Sequence, residues 1–170
     1  MLSEDTPILI DGSPLVARLL HRHGVWQGRQ VKRLMADVLA ENSVEAEDLP
    51  VWLVSQPEWR VRVEECLEAE GGVRRRWMVE SNLLLATAGL WRTAYPGAIF
   101  VFPLSEDKDR TARQEEVADS GAFSVFVDMA ELRAGDVGEA SLLMNAVGLV
   151  PCADKIARLL SGDARNAKAA

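Results

Sequence analysis

The sequence has few cysteines and no long apolar run, the features that cross-link small secreted proteins and anchor proteins in a membrane. Its 170 residues include two cysteines, Cys66 and Cys152, and each stands alone, so neither a CxxC metal pair nor a disulfide framework can be argued. No apolar run approaches membrane-spanning length, and residues 1–5 lack the basic start and apolar stretch of a signal peptide. We therefore expect a cytoplasmic protein without a membrane contact.

The chain also lacks an excess of positive charge. It carries 19 Lys and Arg against 26 Asp and Glu, which gives a formal net charge of −7. Non-specific binding to nucleic acid depends on neutralising phosphates with basic side chains, so the chain as a whole has no attraction for RNA. Any nucleic-acid site must be local.

Short apolar segments alternate with segments of helical length along most of the chain. Strands are predicted at residues 7–10, 51–54, 73–79, 99–102 and 123–127. Between them, apolar side chains recur at helical spacing. Buried strands separated by helices are typical of a parallel sheet that is covered on both faces. We predict an α/β fold: a three-layer, Rossmann-like, mostly parallel sheet of about five strands with helices on both faces.

Nothing in the composition divides the chain, so residues 1–170 are expected to form a single domain. Residues 129–161 predict a C-terminal helical extension, and the small, polar residues 162–170 predict a flexible tail. Amphipathic helices look alike whether they cover a sheet edge, form a dimer contact or dock on another protein. A protein partner or a homo-oligomer therefore stays open.

Acidic residues follow several of the predicted strands. Asp11 follows the first, Asp107 and Asp109 follow the fourth, and Asp128 follows the last. Ligands of parallel α/β sheets gather in the crevice beyond the carboxyl ends of the strands. Carboxylates brought together there repel one another unless a divalent cation binds between them, which predicts a Mg²⁺ site. Asp11 has an alternative role as a helix N-cap, and Asp107 and Asp109 could likewise cap the next helix and complement its dipole. Asp128 is interpreted as a strand-end residue.

Two motifs resemble the PIN-like nucleases, and within them the NYN type. Residues 11–13, Asp-Gly-Ser, resemble the family's opening Asp-Gly-(Ser/Phe)-Asn, and residues 105–109, Ser-Glu-Asp-Lys-Asp, resemble its Ser-Gly-Asp-Ser-Asp after the fourth strand. Residues 79–87 lie where the family has a Val-Asp followed by an apolar helix. The resemblance covers residues 7–128, and it implies a PIN/NYN-like core.

The resemblance also implies a metal-dependent ribonuclease. In that role Asp11 and Asp109 would hold Mg²⁺ or Mn²⁺, and Asp107 and Glu80 would complete the shell directly or through water. The metal would activate water for in-line attack on an RNA phosphodiester. Ser105 would position the substrate.

Four positions depart from the family pattern. Pro14 stands where the family usually has Asn, and Glu106 stands where it has Gly. The middle acidic position falls on Glu80 or on Ser81 according to a one-residue choice of alignment, and the second helical acid is Thr87. These departures favour a second hypothesis, a catalytically degenerate PIN-like domain that binds RNA or a protein.

Two further hypotheses, an RNA-contacting cluster and a receiver-like domain, depend on other features of the sequence. Arg74, Arg75 and Arg76 could neutralise an RNA backbone while Trp77 stacks on a base; the alternative is a charged edge strand that resists aggregation. A receiver-like signalling domain also binds Mg²⁺ with acidic residues after its strands. That third hypothesis is weakened because the chain has no recognisable phosphoacceptor strand followed by a Lys at a later strand end.

Overall fold

The computed structural model describes residues 6–41, 58–72 and 75–169. The strand predicted at residues 51–54 and the side chain of Arg74 lie outside these residues. The described part holds one parallel sheet with the strands β1 (Ile8–Asp11), β2 (Trp26–Gln27), β3 (Trp77–Ser81), β4 (Ile99–Leu104) and β5 (Phe123–Asp128). Their order across the sheet is β2-β3-β1-β4-β5.

Helices connect the strands and complete the domain. They are α1 (Pro14–Arg22), α2 (Arg29–Glu41), α3 (Trp59–Ala69), α4 (Ala88–Ala94), α5 (Lys108–Asp119), α6 (Met129–Ala134), α7 (Val137–Ala146) and α8 (Ala153–Ala169), with a 3-10 turn at Leu85–Thr87. The predicted three-layer α/β fold is confirmed, and every neighbouring pair of strands is parallel. None of the helices in the described ranges is both long and apolar enough to cross a membrane.

Both faces of the sheet are buried because successive side chains of a strand point to opposite sides. Leu9, Val79 and Phe100 belong to one apolar core, which α2, α3, α4 and α5 cover; we call this side the front face. Ile8 and Val101 belong to a second core, which α1, α6, α7 and α8 cover; this is the back face. The C-terminal helices thus form most of the third layer.

The start of α1 is determined by local chemistry. Gly12 follows β1 with a φ of 60°, a left-handed conformation that other residues rarely adopt. The Ser13 hydroxyl then accepts a hydrogen bond from the N–H of Val16 at 3.3 Å, and Pro14 occupies the first helical turn. The helix cap is therefore Ser13, and Asp11 is left for another role.

The chain order creates a crevice beside β1. Its neighbours are β3 on one side and β4 on the other, and the chain places β2 and β3 on the first side before it crosses to β4 and β5 on the second. Ligands of doubly wound sheets bind where the strand order reverses, at the carboxyl ends of the strands. A ligand site is therefore expected in the crevice between the ends of β1 and β4.

Three elements differ from the sequence prediction. The strand expected at residues 73–79 is β3, Trp77–Ser81, and it begins after the arginines. The short β2 pairs only Trp26 with Trp77 and Gln27 with Met78, too few residues to leave a periodic signal. The helix α8 continues to Ala169 where a flexible tail was expected; alanines, the best helix formers, recur through this segment.

An aromatic cluster holds α3, α4 and β3 together on the front face. The ring centroids of Trp59 and Trp91 are 5.2 Å apart with an edge-to-face arrangement, and those of Trp91 and Trp77 are 6.2 Å apart. Tyr95 packs against both Trp77 and Trp91. Trp91 is fully buried at the centre of the cluster.

We expect Trp91→Ala to lower the free energy of unfolding by about 3–5 kcal/mol, because it removes a large buried ring and leaves a cavity. Urea unfolding followed by circular dichroism measures the loss. Val61→Ala is the control, since Val61 is 54% exposed and its change is expected to stay within about 0.5 kcal/mol. Equal effects of the two substitutions would contradict the proposed centre of the core.

Candidate functional site

The crevice between β1 and β4 encloses a cavity of about 280 Å³. Residues that follow the two strands line it, among them Asp11, Ser105 and Asp107, together with Arg110 of α5 and Arg133 of α6. Two carboxylates and two guanidinium groups therefore share one space. The cavity brings together three of the residues predicted from the sequence, and it adds cations that the prediction did not include.

Asp11 is completely paired inside the protein. Its side chain is 0% exposed, and Arg110 donates to both of its oxygens, through Nε to Oδ2 at 3.0 Å and through Nη2 to Oδ1. Gln114 Nε2 donates a further hydrogen bond to Oδ2 at 2.8 Å. Bidentate pairing of guanidinium and carboxylate is among the strongest polar contacts in proteins. Both Asp11 oxygens are therefore occupied by N–H donors.

The loop before α5 positions Arg110. Asp107 is the N-cap of this helix, and its Oδ1 accepts from the N–H groups of Asp109 at 3.1 Å and Arg110 at 3.0 Å. The Ser105 hydroxyl in turn accepts from the N–H of Asp107 at 3.2 Å. Asp109 is exposed in the first turn of α5, where its charge complements the helix dipole. These three side chains stabilise the start of the helix that carries Arg110.

The strand register places Glu80 away from Asp11. Asp11 is the register partner of Ser81, whereas Glu80 is the partner of Ile10. Because successive side chains alternate between faces, Ser81 shares the face of Asp11 and Glu80 points to the other one. The Glu80 carboxylate accepts from Lys32 Nζ at 3.0 Å and is nearly buried. The position beside Asp11 therefore carries a hydroxyl rather than an acid.

This arrangement does not fit a Mg²⁺ or Mn²⁺ ion. Hard divalent cations need several oxygen ligands with free lone pairs, and they are repelled by a cation at the same place. The oxygens of Asp11 are already bound, the Asp107 carboxylate caps a helix, and the Arg110 guanidinium lies against Asp11 where the metal would bind. Within the described residues, no three His, Cys, Asp or Glu side chains are placed to hold a metal ion.

The described residues of the predicted RNA-contacting cluster, Arg75, Arg76 and Trp77, each contact a different part of the protein. Trp77 is 4% exposed and belongs to the aromatic cluster of the front face. The Arg75 guanidinium lies over the Trp26 ring at 4.9 Å. Arg76 donates to the backbone carbonyl of Val147 after the end of α7, and burial lowers the pKa of its guanidinium. These three residues thus contribute to packing between helices and strands.

Arg110 and Gln114 are the site residues that the sequence analysis missed. They lie four positions apart on α5, so both face the same way, and Gln114 is 1% exposed. The helix gives little sequence signal because Val117 is its only apolar core residue. A buried partner for Asp11 could have been anticipated from its place after an apolar strand, but the identity of the partner could not.

Gly12 leaves room for this ion pair. A Cβ atom at position 12 would lie 2.6 Å from Arg110 Nη2, whereas a Cβ at Gly24 would meet nothing within 4 Å. Both glycines have a positive φ, so alanine is strained at either position.

We expect Gly24→Ala to cost about 1–2 kcal/mol of unfolding free energy from backbone strain alone. Gly12→Ala is expected to cost about 1.5 kcal/mol more, because the methyl group also displaces Arg110 from a charged hydrogen bond. Chemical unfolding of the two variants measures the difference. Equal losses would show that Arg110 does not depend on the space above Gly12.

Comparison with known proteins assigns no family to this chain. No family model matches the sequence, and no curated protein matches it.

Proposed function

We propose that this chain is a catalytically inactive PIN-like domain that binds RNA without hydrolysing it. The observation that carries the proposal is the pairing of Asp11, whose two oxygens accept from Arg110 and Gln114. In the nucleases that residues 11–13 resemble, this carboxylate would hold the metal that activates water. Here an internal cation takes the place where that metal would bind.

The rest of the predicted acidic set supports the same proposal. Ser81 stands beside Asp11, Glu80 is paired with Lys32 on the other face of its strand, and Asp107 caps α5. A metal could reach the Asp11 oxygens only after the bidentate pair with Arg110 and the hydrogen bond from Gln114 had been broken. These contacts favour a closed ion pair over a metal site.

RNA as the ligand is supported by the ordered motifs and by the distribution of charge. The chain has a net charge of −7, but Arg22, Lys155 and Arg158 line one cavity and make no ion pair among the described residues. Local cations can attract a polyanion even where the whole molecule is acidic. This combination favours binding over cleavage.

A protein-binding role is the second candidate, and the end of the sheet favours it. β5 is the last strand of the described sheet on its side, and it exposes Phe123 and Phe126. Leu104 at the end of β4 is also exposed. An apolar edge strand is a template for pairing with another chain. Self-association or partner binding that Phe123→Lys abolishes, in a chain that binds no RNA, would favour this candidate.

We expect the purified protein to leave a labelled single-stranded RNA intact in the presence of Mn²⁺, because both oxygens of the Asp11 carboxylate are bound by Arg110 and Gln114. Gel electrophoresis of the RNA after incubation measures cleavage, and the Asp11→Asn variant serves as the matched control. We expect wild type and variant to give the same background. Cleavage by the wild type that disappears in Asp11→Asn would contradict the proposal.

A further inference from the structure

A cationic groove lies between α1 and α8 on the back face. It encloses about 960 Å³, and its basic lining comes from Arg18 and Arg22 of α1 and from Lys155 and Arg158 of α8. In each helix the basic residues are three or four positions apart, so they share one side of the helix, with their Cβ atoms about 5–6 Å from each other. The groove therefore has a row of cations on each wall.

Most of this charge is not neutralised inside the protein. Arg18 is paired with Asp163, the one acidic residue that lines the groove. The side chains of Arg22, Lys155 and Arg158 form no ion pair with any of the described residues. The lining thus carries a net charge of +3, from four cations and one anion, on a chain whose total is −7. Such a local excess is the electrostatic footprint of a polyanion site.

The walls of the groove are fixed before any ligand binds. The N–H of Cys152, just before α8, donates to His23 Nε2 at 3.2 Å, and His23 Nδ1 donates to the Leu19 carbonyl of α1 at 2.7 Å. The Arg18 to Asp163 pair adds a direct link between the two helices. Because the two helices that carry the cations are already in position, a ligand has to order only the basic side chains.

The shape and chemistry of the groove favour a nucleic-acid backbone over a membrane. Helices that lie on membranes present large apolar side chains beside their basic residues. None of the large exposed apolar side chains of the described residues lines this groove. Arginine predominates in the lining, and its guanidinium binds phosphate oxygens in a bidentate manner.

A second basic cavity fits a polyanion less well. It encloses about 370 Å³ at the carboxyl ends of β2 and β3 and is lined by Arg29, Lys32 and Arg33. Lys32 is paired with Glu80, and the N–H groups at the start of α2 donate to Glu70. Its positive charge is thus partly neutralised by internal acids.

We propose that the groove between α1 and α8 is a phosphate-backbone clamp for single-stranded RNA. This inference rests on the proposed RNA-binding function and gives it a location. Because α1 runs back along the sheet from the end of β1, the clamp lies towards the amino ends of the strands, away from the closed crevice. Contacts to phosphates carry no sequence information, so the clamp binds RNA with little preference for sequence.

The test compares two matched triple variants by fluorescence anisotropy with a labelled 20-nucleotide RNA of mixed sequence, over a series of salt concentrations. The clamp variant is Arg22→Gln, Lys155→Gln and Arg158→Gln. The control variant also removes two arginines and one lysine, through Arg29→Gln, Arg33→Gln and Lys108→Gln. All six side chains are exposed or border open cavities, so thermal unfolding should be nearly unchanged and serves as the folding check.

We expect the clamp variant to lose affinity by a factor on the order of 100 at 0.1 M salt, and its slope of log affinity against log salt to fall by about 2. The control variant should retain the wild-type affinity and slope. If the clamp variant binds RNA with wild-type affinity, or if both variants lose the same affinity, the clamp is overturned although the protein binds RNA. Competition by poly-glutamate as effective as unlabelled RNA would also overturn it in favour of an acidic peptide ligand. A wild type that binds no RNA would overturn the proposed function itself.

Discussion

The ion pair between Asp11 and Arg110 is the contact around which the crevice is organised. A carboxylate at the end of a buried strand cannot remain charged without a partner. The guanidinium of Arg110 meets this need by donating from Nε and Nη2 to the two Asp11 oxygens, and Gln114 donates a third hydrogen bond. The neighbouring residues serve the same contact: Gly12 leaves space for the guanidinium, and Asp107 holds the first turn of the helix that presents it.

The same interaction accounts for the proposed lack of catalysis in a domain whose motifs resemble those of a nuclease site. The residues that follow β1 and β4 retain the acids of the ordered motifs, but each acid has a structural partner or faces solvent. The result is a crevice in which Asp11 and Asp107 are balanced by Arg110 and Arg133. Among the described residues, cations without internal partners lie between α1 and α8, so the proposed polyanion site is separated in space from the acidic residues of the crevice.

Local patterns in the sequence were sufficient to predict the fold and the place of Asp11, because an apolar strand followed by Asp-Gly-Ser-Pro specifies a strand end, a turn and a helix start. The middle acidic position was left between Glu80 and Ser81, and only the pairing register decides it, since a one-residue slip moves a side chain to the opposite face. Arg110 lies 99 residues from Asp11, so no local pattern could connect them. The two-residue β2 also depends on its pairing with β3 rather than on periodicity.

A double-mutant cycle on Asp11 and Arg110 tests the central claim most directly. Asp11→Asn, Arg110→Met and the double variant are unfolded in urea, and the coupling free energy is taken from the three losses of stability relative to the wild type. A closed structural ion pair predicts that Asp11→Asn destabilises the protein and that the coupling is about 1.5–3 kcal/mol. A site built for a metal predicts the reverse for Asp11→Asn, because neutralising one of several crowded carboxylates relieves their repulsion. Stabilisation by Asp11→Asn with no coupling to Arg110 would contradict the account.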